Sequence, residues 1–202
     1  IYVFITISME GTPPTIFPVK DPPKEKPIKA IHPNLPELPT IMVLVAPTKS
    51  GKSTILSNLF LREEFYKGAF DNVTIMSNTI DQDITSRFLR KACDCYTGYD
   101  DNVLAGIIEQ QKSFDDDERP FIGMIFDDIL GSVKRNSYLN SLVTRSRHYG
   151  VGLLAVSVQS FKSISPTIRN NCNSFICCNL QNMNELEKIS SEYSGMFGGD
   201  EK

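Results

Sequence analysis

The sequence predicts an α/β fold, in which a mainly parallel sheet carries helices on both faces. From residue 41 onward, short apolar runs alternate with longer stretches whose apolar residues recur at helical spacing. Strands that alternate with helices pair in parallel through right-handed crossovers, and the helices cover the sheet. The chain has 202 residues, of which 41% are hydrophobic, so it fits one domain with a substantial core.

The apolar runs predict five strands, at 41–45, 72–76, 122–126, 152–158 and 174–178. The stretches between and after them predict helices at 53–64, 82–92, 102–112, 133–148 and 182–193. An acidic turn at 115–118 precedes the third strand. This alternation is typical of βαβ units.

The N-terminal segment 1–40 is predicted to be an arm, and 41–202 the folded domain. Residues 10–40 contain nine of the 12 prolines, and proline favours extended chain because it fixes φ and lacks an amide donor. The segment either lies over the body as a linker or docks on a neighbouring subunit. Residues 1–8 are interpreted as an early strand or as sequence upstream of a start at Met9. The chain begins with isoleucine and 195–202 has no terminating element, so we expect trimming at one or both ends.

Charge and composition exclude several classes of protein. The net charge of −3 argues against a generally basic nucleic-acid binder but not against a local basic lining. No apolar run approaches the ~20 residues of a membrane-spanning helix, so no membrane partner is expected. The five cysteines lack zinc-site spacing, and we interpret them as reduced thiols, with Cys177 and Cys178 on a buried strand.

The most specific motif follows the first predicted strand and opens the first predicted helix. It has the spacing of a phosphate-binding P-loop, or Walker A motif, with alanine in place of the first glycine. Backbone N–H groups of such a loop and the helix N-terminus bind phosphate; Gly51 allows close approach, Lys52 binds the β- and γ-phosphates, and Ser53 ligates Mg²⁺. The predicted ATP-binding residues are Ala46, Pro47, Thr48, Lys49, Ser50, Gly51, Lys52, Ser53 and Thr54.

A pair of carboxylates, Asp127 and Asp128, ends the third predicted strand. Strand ends lie at the carboxyl edge of the sheet, where ligands bind in open α/β folds. Adjacent carboxylates repel each other unless a cation lies between them. We therefore predict a Walker B site in which Asp127 ligates Mg²⁺ and Asp128 orients or deprotonates the attacking water, although an Asp-Asp helix cap is also compatible with the pattern.

Further polar residues follow or precede the fourth strand. Gln159 ends this strand and is predicted to sense the γ-phosphate or hold the water, the alternative being an ordinary loop residue. Arg145 is interpreted as a helix C-terminal cation. For Arg147 and Arg169 the sequence leaves two roles open: a cation delivered to the γ-phosphate from a neighbouring subunit, or the same structural role.

Taken together, these motifs resemble the FtsK–HerA superfamily of DNA-pumping ATPases. The resemblance rests on the tract from Arg145 to Gln159, which contains basic residues, then glycine, an apolar strand and glutamine. A basic segment around Arg169 follows it. The chain is most similar to the genome-packaging ATPases of large DNA viruses and virophages. Three features carry this similarity: the Arg147-His148 pair, the short chain, and an Asp-Asp pair where cellular members usually have Asp-Glu. The resemblance covers residues 40–180.

This resemblance implies a RecA-like (ASCE) P-loop core with strand order 5-1-4-3-2. It implies a homo-oligomeric ring that hydrolyses ATP with Mg²⁺ and pumps double-stranded DNA, with Gln159 as polar sensor and Arg147 or Arg169 as trans-acting finger. Capsid proteins are further expected partners. The expected location is the host cytoplasm or viral factory, with the virion as an alternative.

Three other functions stay open at this point. A cellular or conjugative DNA translocase of the same superfamily has the same motifs. A small-molecule P-loop kinase needs an arginine-rich lid, which the sequence does not show. A nucleotide switch without hydrolysis has no need of the paired acids and Gln159.

Overall fold

The computed structural model describes residues 32–133 and 137–194. Within these ranges the chain forms six strands and six α-helices. The strands are β1 Thr40–Val45, β2 Asn72–Ser77, β3 Asp94–Thr97, β4 Ile122–Asp127, β5 Val151–Val158 and β6 Ser174–Cys177. The helices are α1 Lys52–Leu61, α2 Arg87–Ala92, α3 Asp101–Ser113, α4 Tyr138–Arg145, α5 Pro166–Asn171 and α6 Met183–Tyr193.

The six strands form a single sheet in the order β3-β2-β4-β5-β1-β6. Every pair of neighbours is parallel, so all six strands end at the same edge. The α/β fold with a parallel sheet is therefore confirmed. The order of the five predicted strands also agrees with the order that the family resemblance implies, and β3 extends the sheet beyond β2.

Helices cover both faces of this sheet, and each face has its own apolar core. On β1, Ile41, Val43 and Val45 contact one core, which includes residues of α3 and α4. Met42 belongs to the other core, together with Leu56 of α1 and Leu89 of α2. A strand that is buried on both faces needs apolar residues at every position, which is why the central strands read as continuous apolar runs.

Several elements differ from the prediction. β3 was missed because it is a four-residue strand at the sheet edge with mostly exposed side chains. The helix predicted at 133–148 begins only at Tyr138, and residues 134–136 lie outside the described ranges. The helix predicted at 82–92 divides into a 3₁₀ turn, Ile84–Ser86, and α2, because the Asp83 side chain caps the turn by accepting from the Thr85 amide.

The prediction of a buried strand for Cys177 and Cys178 is wrong. β6 lies at the edge of the sheet and pairs with β1 alone among the described strands. Cys177 is consequently exposed, while Cys178, beyond the strand end, is half-buried. All five cysteines are free thiols.

The described end of the proline-rich segment contacts the domain itself. Leu35 and Leu38 pack against the core that contains Met42, and the Tyr66 hydroxyl donates to the Pro36 carbonyl at 2.9 Å. The rest of the predicted arm, 1–31, and the segment 195–202 lie outside the described residues. In the part of the chain that is described, every helix is too short or too polar to span a bilayer.

Candidate nucleotide-binding site

The predicted P-loop connects β1 to α1 at the carboxyl edge of the sheet. Ala46 is fully buried, and its amide donates to the Val158 carbonyl at 3.0 Å. Among the described residues other than glycine, a positive φ occurs at Lys49, Asp128 and Asn179, and Ala46 is not one of them. The backbone at Ala46 therefore does not require glycine, although the motif usually has glycine there. Gly51 has φ +94°, a backbone conformation that L side chains rarely adopt.

The N-terminus of α1 faces the space enclosed by this loop. The first amides of a helix have no partner within the helix, and here they belong to Lys52, Ser53 and Thr54 at the start of α1. The helix dipole adds a partial positive charge at the same place. Together with the preceding loop, this end of α1 has the geometry of an anion-binding site.

The two predicted acids occupy different environments at the end of β4. Asp127 is 5% exposed, and its Oδ2 accepts from the Ser77 hydroxyl at 3.2 Å. Burial raises the pKa of Asp127, and the neighbouring Asp128 carboxylate raises it further, against the opposing effects of the Ser157 and Ser77 hydroxyls and of Lys52. The Oδ1 of Asp127 and the Ser157 hydroxyl are both buried without a hydrogen bond of standard geometry among the described residues, and a bound cation would satisfy this carboxylate oxygen.

Asp128 is the centre of a hydrogen-bonded group that links three elements. Lys52 Nζ lies 3.0 and 2.9 Å from the two carboxylate oxygens of Asp128. Gln159 Nε2 donates to Asp128 Oδ2 at 3.0 Å, and the Thr48 hydroxyl donates to Gln159 Oε1 at 3.1 Å. Lys52 and Gln159 thus both contact the Asp128 carboxylate, a convergence that their sequence separation does not show.

Asn78, which directly follows β2, was missed by sequence reasoning. The backbone of Asp128 has φ +52°, a conformation that costs about 1–3 kcal/mol for a residue other than glycine. The Asp128 amide donates to the Ser157 carbonyl at 2.9 Å. Asn78 Nδ2 donates to the backbone carbonyl of Asp128, also at 2.9 Å. These two bonds hold the Asp128 side chain toward Lys52.

A cavity of about 430 Å³ contains these groups. Besides the predicted residues, Thr79, Asp83 and Thr85 line it. Burial tends to raise the pKa of Asp83, but hydrogen bonds from Ser53, Thr85 and Ser86 outweigh it and lower the pKa to about 2. Asp83 therefore stays ionised next to the Ser53 hydroxyl. The sequence signal for it was the Asp-x-Thr-Ser capping pattern, which the helix prediction at 82–92 passed over.

The oxygen atoms around this cavity suit a magnesium ion. Mg²⁺ is usually bound by one or two carboxylates together with substrate phosphates and water. Asp127 and Ser53 both line the cavity, and each carries an oxygen atom of the kind that binds Mg²⁺. Among the described residues no group of three or more His, Cys, Asp or Glu side chains forms a complete metal site, so a metal here would depend on phosphate oxygens for its remaining ligands.

A second cavity, of about 440 Å³, lies on the other side of the P-loop. Thr48, Lys49 and Ser50 form one wall, Gln159 and Ser160 a second, and 179–182 with Glu185 a third. The P-loop and Gln159 are thus shared by two adjoining cavities. Together they offer space for a phosphate chain and for the larger group attached to it.

The structure separates the arginines from this site and from each other. Arg145, Arg147 and His148 are exposed and immediately precede β5, at the opposite edge of the sheet. β5 has eight residues and is about 26 Å long, so Arg147 cannot reach the cavity of its own chain. Arg169 is 15% exposed and pairs with Glu192 at 2.6 Å.

Comparison with known families and proteins identifies similar sequences in viruses. A family model described as Poxvirus A32 protein matches residues 30–196. The chain is also 25% identical, over 161 residues, to the uncharacterized protein 075L of Invertebrate iridescent virus 6, a match that covers 77% of this chain and 60% of that protein. The chain therefore spans about three fifths of the length of this curated relative.

Solved structures with a similar fold include viral and bacterial proteins. The genome packaging NTPase B204 of Sulfolobus turreted icosahedral virus 2, in complex with AMP, has a TM-score of 0.59 and 21% identity, with coverage of 78% of this chain and 83% of that one. The cytoplasmic domain of EssC has a TM-score of 0.54 and 15% identity, with coverage of 74% of this chain and 35% of that one. These similarities confirm the P-loop ATPase fold, and with the family match they confirm the resemblance to viral genome-packaging ATPases.

Proposed function

Because the chain belongs to the Poxvirus A32 protein family, we propose that it hydrolyses MgATP and uses that hydrolysis to move double-stranded DNA, packaging a viral genome into a capsid. The observation that carries the hydrolytic part of this proposal is the convergence of Lys52, Asp128 and Gln159 on one cavity beside the P-loop. The family match supports the packaging part. Similarity to B204, a genome packaging NTPase solved with ATP-gammaS and with AMPPCP, supports nucleotide binding.

Within the P-loop 46–54, amides that follow Pro47 would bind the phosphates together with Lys52. The Ala46 amide is already bonded to the Val158 carbonyl, and Pro47 has no N–H. When phosphate binds, Lys52 Nζ would exchange its two contacts with the Asp128 carboxylate for contacts with phosphate oxygens. The exchange is feasible because phosphate, like the carboxylate, is negatively charged. Asp128 is then free to accept a proton from the attacking water. Gln159, which contacts both Asp128 and Thr48, orients that water.

Ser53 and Asp127 would hold the magnesium ion, with Asp83 hydrogen-bonded to the Ser53 hydroxyl. When bound, Mg²⁺ neutralises charge on the β- and γ-phosphate oxygens. The ion would also compensate the charge of the buried Asp127 carboxylate, beyond what Lys52 provides.

Two features favour hydrolysis over the kinase and switch hypotheses. A kinase encloses its phosphates with an arginine-rich lid, and the described residues that line the cavity include no arginine. A switch that only binds nucleotide has no need of a carboxylate base such as Asp128, nor of a glutamine hydrogen-bonded to that carboxylate, as Gln159 is. A cellular or conjugative translocase is the alternative within the superfamily, although the family match favours the viral role.

The position of Arg147 leaves its side chain available to a neighbouring subunit. Arg147 lies exposed at the far edge of its own sheet, and Arg169 is paired within its own chain. We therefore propose Arg147 rather than Arg169 as the cation that a neighbouring subunit delivers to the γ-phosphate. The assembly would be a ring around DNA that acts with capsid proteins in the host cytoplasm or viral factory.

The direct test is ATP turnover with and without double-stranded DNA. We expect turnover to increase with duplex DNA and the increase to diminish as salt rises, because DNA-backbone contacts release counterions. Single-stranded DNA of equal phosphate content is the control. Turnover that is indifferent to DNA, in a protein that stays monomeric, would contradict the packaging proposal.

Asp127→Asn is expected to raise the Mg²⁺ concentration needed for half-maximal turnover by at least ~10- to 100-fold, the loss typical even of residues that only support a metal ligand. The amide cannot supply the negative charge that the buried Oδ1 position provides. Binding of Mn²⁺ to the nucleotide complex, followed by electron paramagnetic resonance, measures the loss without relying on turnover. Asp128→Asn is the matched control and should leave metal affinity nearly unchanged; the reverse pattern would exchange the two roles.

A further inference from the structure

The first turn of α6 contains a buried carboxylate that the proposed mechanism does not use. Glu185 is 6% exposed. Its Oε1 accepts from the Ser160 hydroxyl at 2.9 Å and its Oε2 accepts from the Phe161 amide at 2.6 Å. A buried charge is costly unless it is hydrogen-bonded, and here both oxygens are engaged by the same short segment.

That segment is the one that carries Gln159 out of β5. Ser160 and Phe161 follow Gln159 directly, and Gln159 Nε2 donates to Asp128 Oδ2. By holding the next two residues, Glu185 determines where the Gln159 backbone leaves the strand. Contacts therefore connect α6 to the proposed water-activating residue Asp128, through Glu185, the segment after β5 and Gln159.

The last turn of α6 holds the other side of Phe161. The Phe161 ring lies 5.8 Å from the ring of Tyr193, in edge-to-face geometry. Arg169 lies over the same ring, with its guanidinium carbon 5.3 Å from the centroid, and pairs with Glu192 of α6. Both ends of α6 thus contact the segment behind Gln159, and Arg169 is part of this packing.

We infer that Glu185 is a positioning residue, through which α6 sets the orientation of Gln159 relative to Asp128. The inference rests on the proposed function, because it assigns Gln159 to hydrolysis. Glu185 also borders the second cavity beside the P-loop, but both of its oxygens are bonded to Ser160 and Phe161 and are therefore not available to a ligand.

Glu185→Ala should lower kcat by about 10²-fold, the loss expected when a reacting group is misplaced by about 1 Å, with little change in ATP affinity. Glu185→Gln should recover most of the rate, because an amide of the same shape can still bond to Ser160 and Phe161. Glu187→Ala, an exposed carboxylate two residues along α6, is the matched control and should behave as wild type.

The decisive measurement combines Glu185→Ala with Gln159→Ala. If Glu185 acts through Gln159, the double variant hydrolyses ATP no more slowly than Gln159→Ala alone. Losses that multiply, or an equal loss of ATP affinity, would overturn the inference. If Glu185→Ala does not fold, Glu185→Asp, which shortens the side chain by one methylene, takes its place in the same cycle. An inactive wild type would instead refute the proposed function, so the two failures are distinguishable.

Discussion

Replacement of Arg147 by alanine is expected to lower ATP turnover by about 10³- to 10⁵-fold, the range over which a trans-acting arginine contributes in P-loop enzymes. The side chain is exposed and precedes β5 at the edge opposite to the cavity. Loss of an exposed side chain has little effect on stability, so the variant should fold and bind ATP normally. Turnover should depend on protein concentration in the wild type, because the finger acts only at an interface between subunits.

Arg145→Ala is the matched control, since Arg145 is also exposed and lies two residues away at the end of α4. It should retain near-normal turnover. A comparable loss in both variants would point to a general effect of positive charge, for example on DNA binding, instead of a finger.

Mixed assemblies test whether the arginine acts in trans. Arg147→Ala subunits keep an intact Asp128, and Asp128→Asn subunits keep an intact Arg147. Interfaces that join an intact site to an intact finger should recover part of the activity, and duplex DNA should increase the recovery by promoting assembly. If the two variants co-assemble and no activity returns, Arg147 is not a finger supplied by a neighbour.

Asp128→Asn is expected to lower ATP turnover by about 10²- to 10⁴-fold while nucleotide still binds. The amide cannot accept a proton from water. It also leaves Lys52, whose side chain is 8% exposed, without its charged partner, and an unpaired buried charge destabilises the fold. Nucleotide restores a negative partner to Lys52, so ATP should raise the melting temperature of this variant more than that of the wild type.

Two further variants separate binding from hydrolysis at this site. Lys52→Ala removes the charge that holds the phosphates, and ATP should no longer raise its melting temperature. Asp128→Glu keeps a carboxylate base and should retain more turnover than Asp128→Asn. Wild-type turnover in Lys52→Ala would contradict the P-loop assignment, and wild-type turnover in Asp128→Asn would leave the acids as a structural feature only.

The sequence by itself determined the features that depend on residues next to one another in the chain. The P-loop between β1 and α1, the acids at the end of β4 and the glutamine after β5 could be located because strand, turn and helix signals lie next to them in the chain. The central strands were recognised because burial on both faces requires continuous apolar runs. The edge strands were read less well, since β3 lacks such a run and the exposure of Cys177 at the end of β6 is not encoded locally.

Only the tertiary structure decided which of these residues meet. The contact of Lys52 with Asp128, the bond from Asn78 to the Asp128 carbonyl and the bonds from Glu185 to the segment after Gln159 join elements that are far apart in sequence. Such pairs depend on strand order and on the packing of helices against the sheet, and no local pattern specifies them. The same reason explains the arginines. The sequence left Arg147 and Arg169 equivalent, whereas folding exposes the first at the far edge of the sheet and packs the second against Phe161 and Glu192.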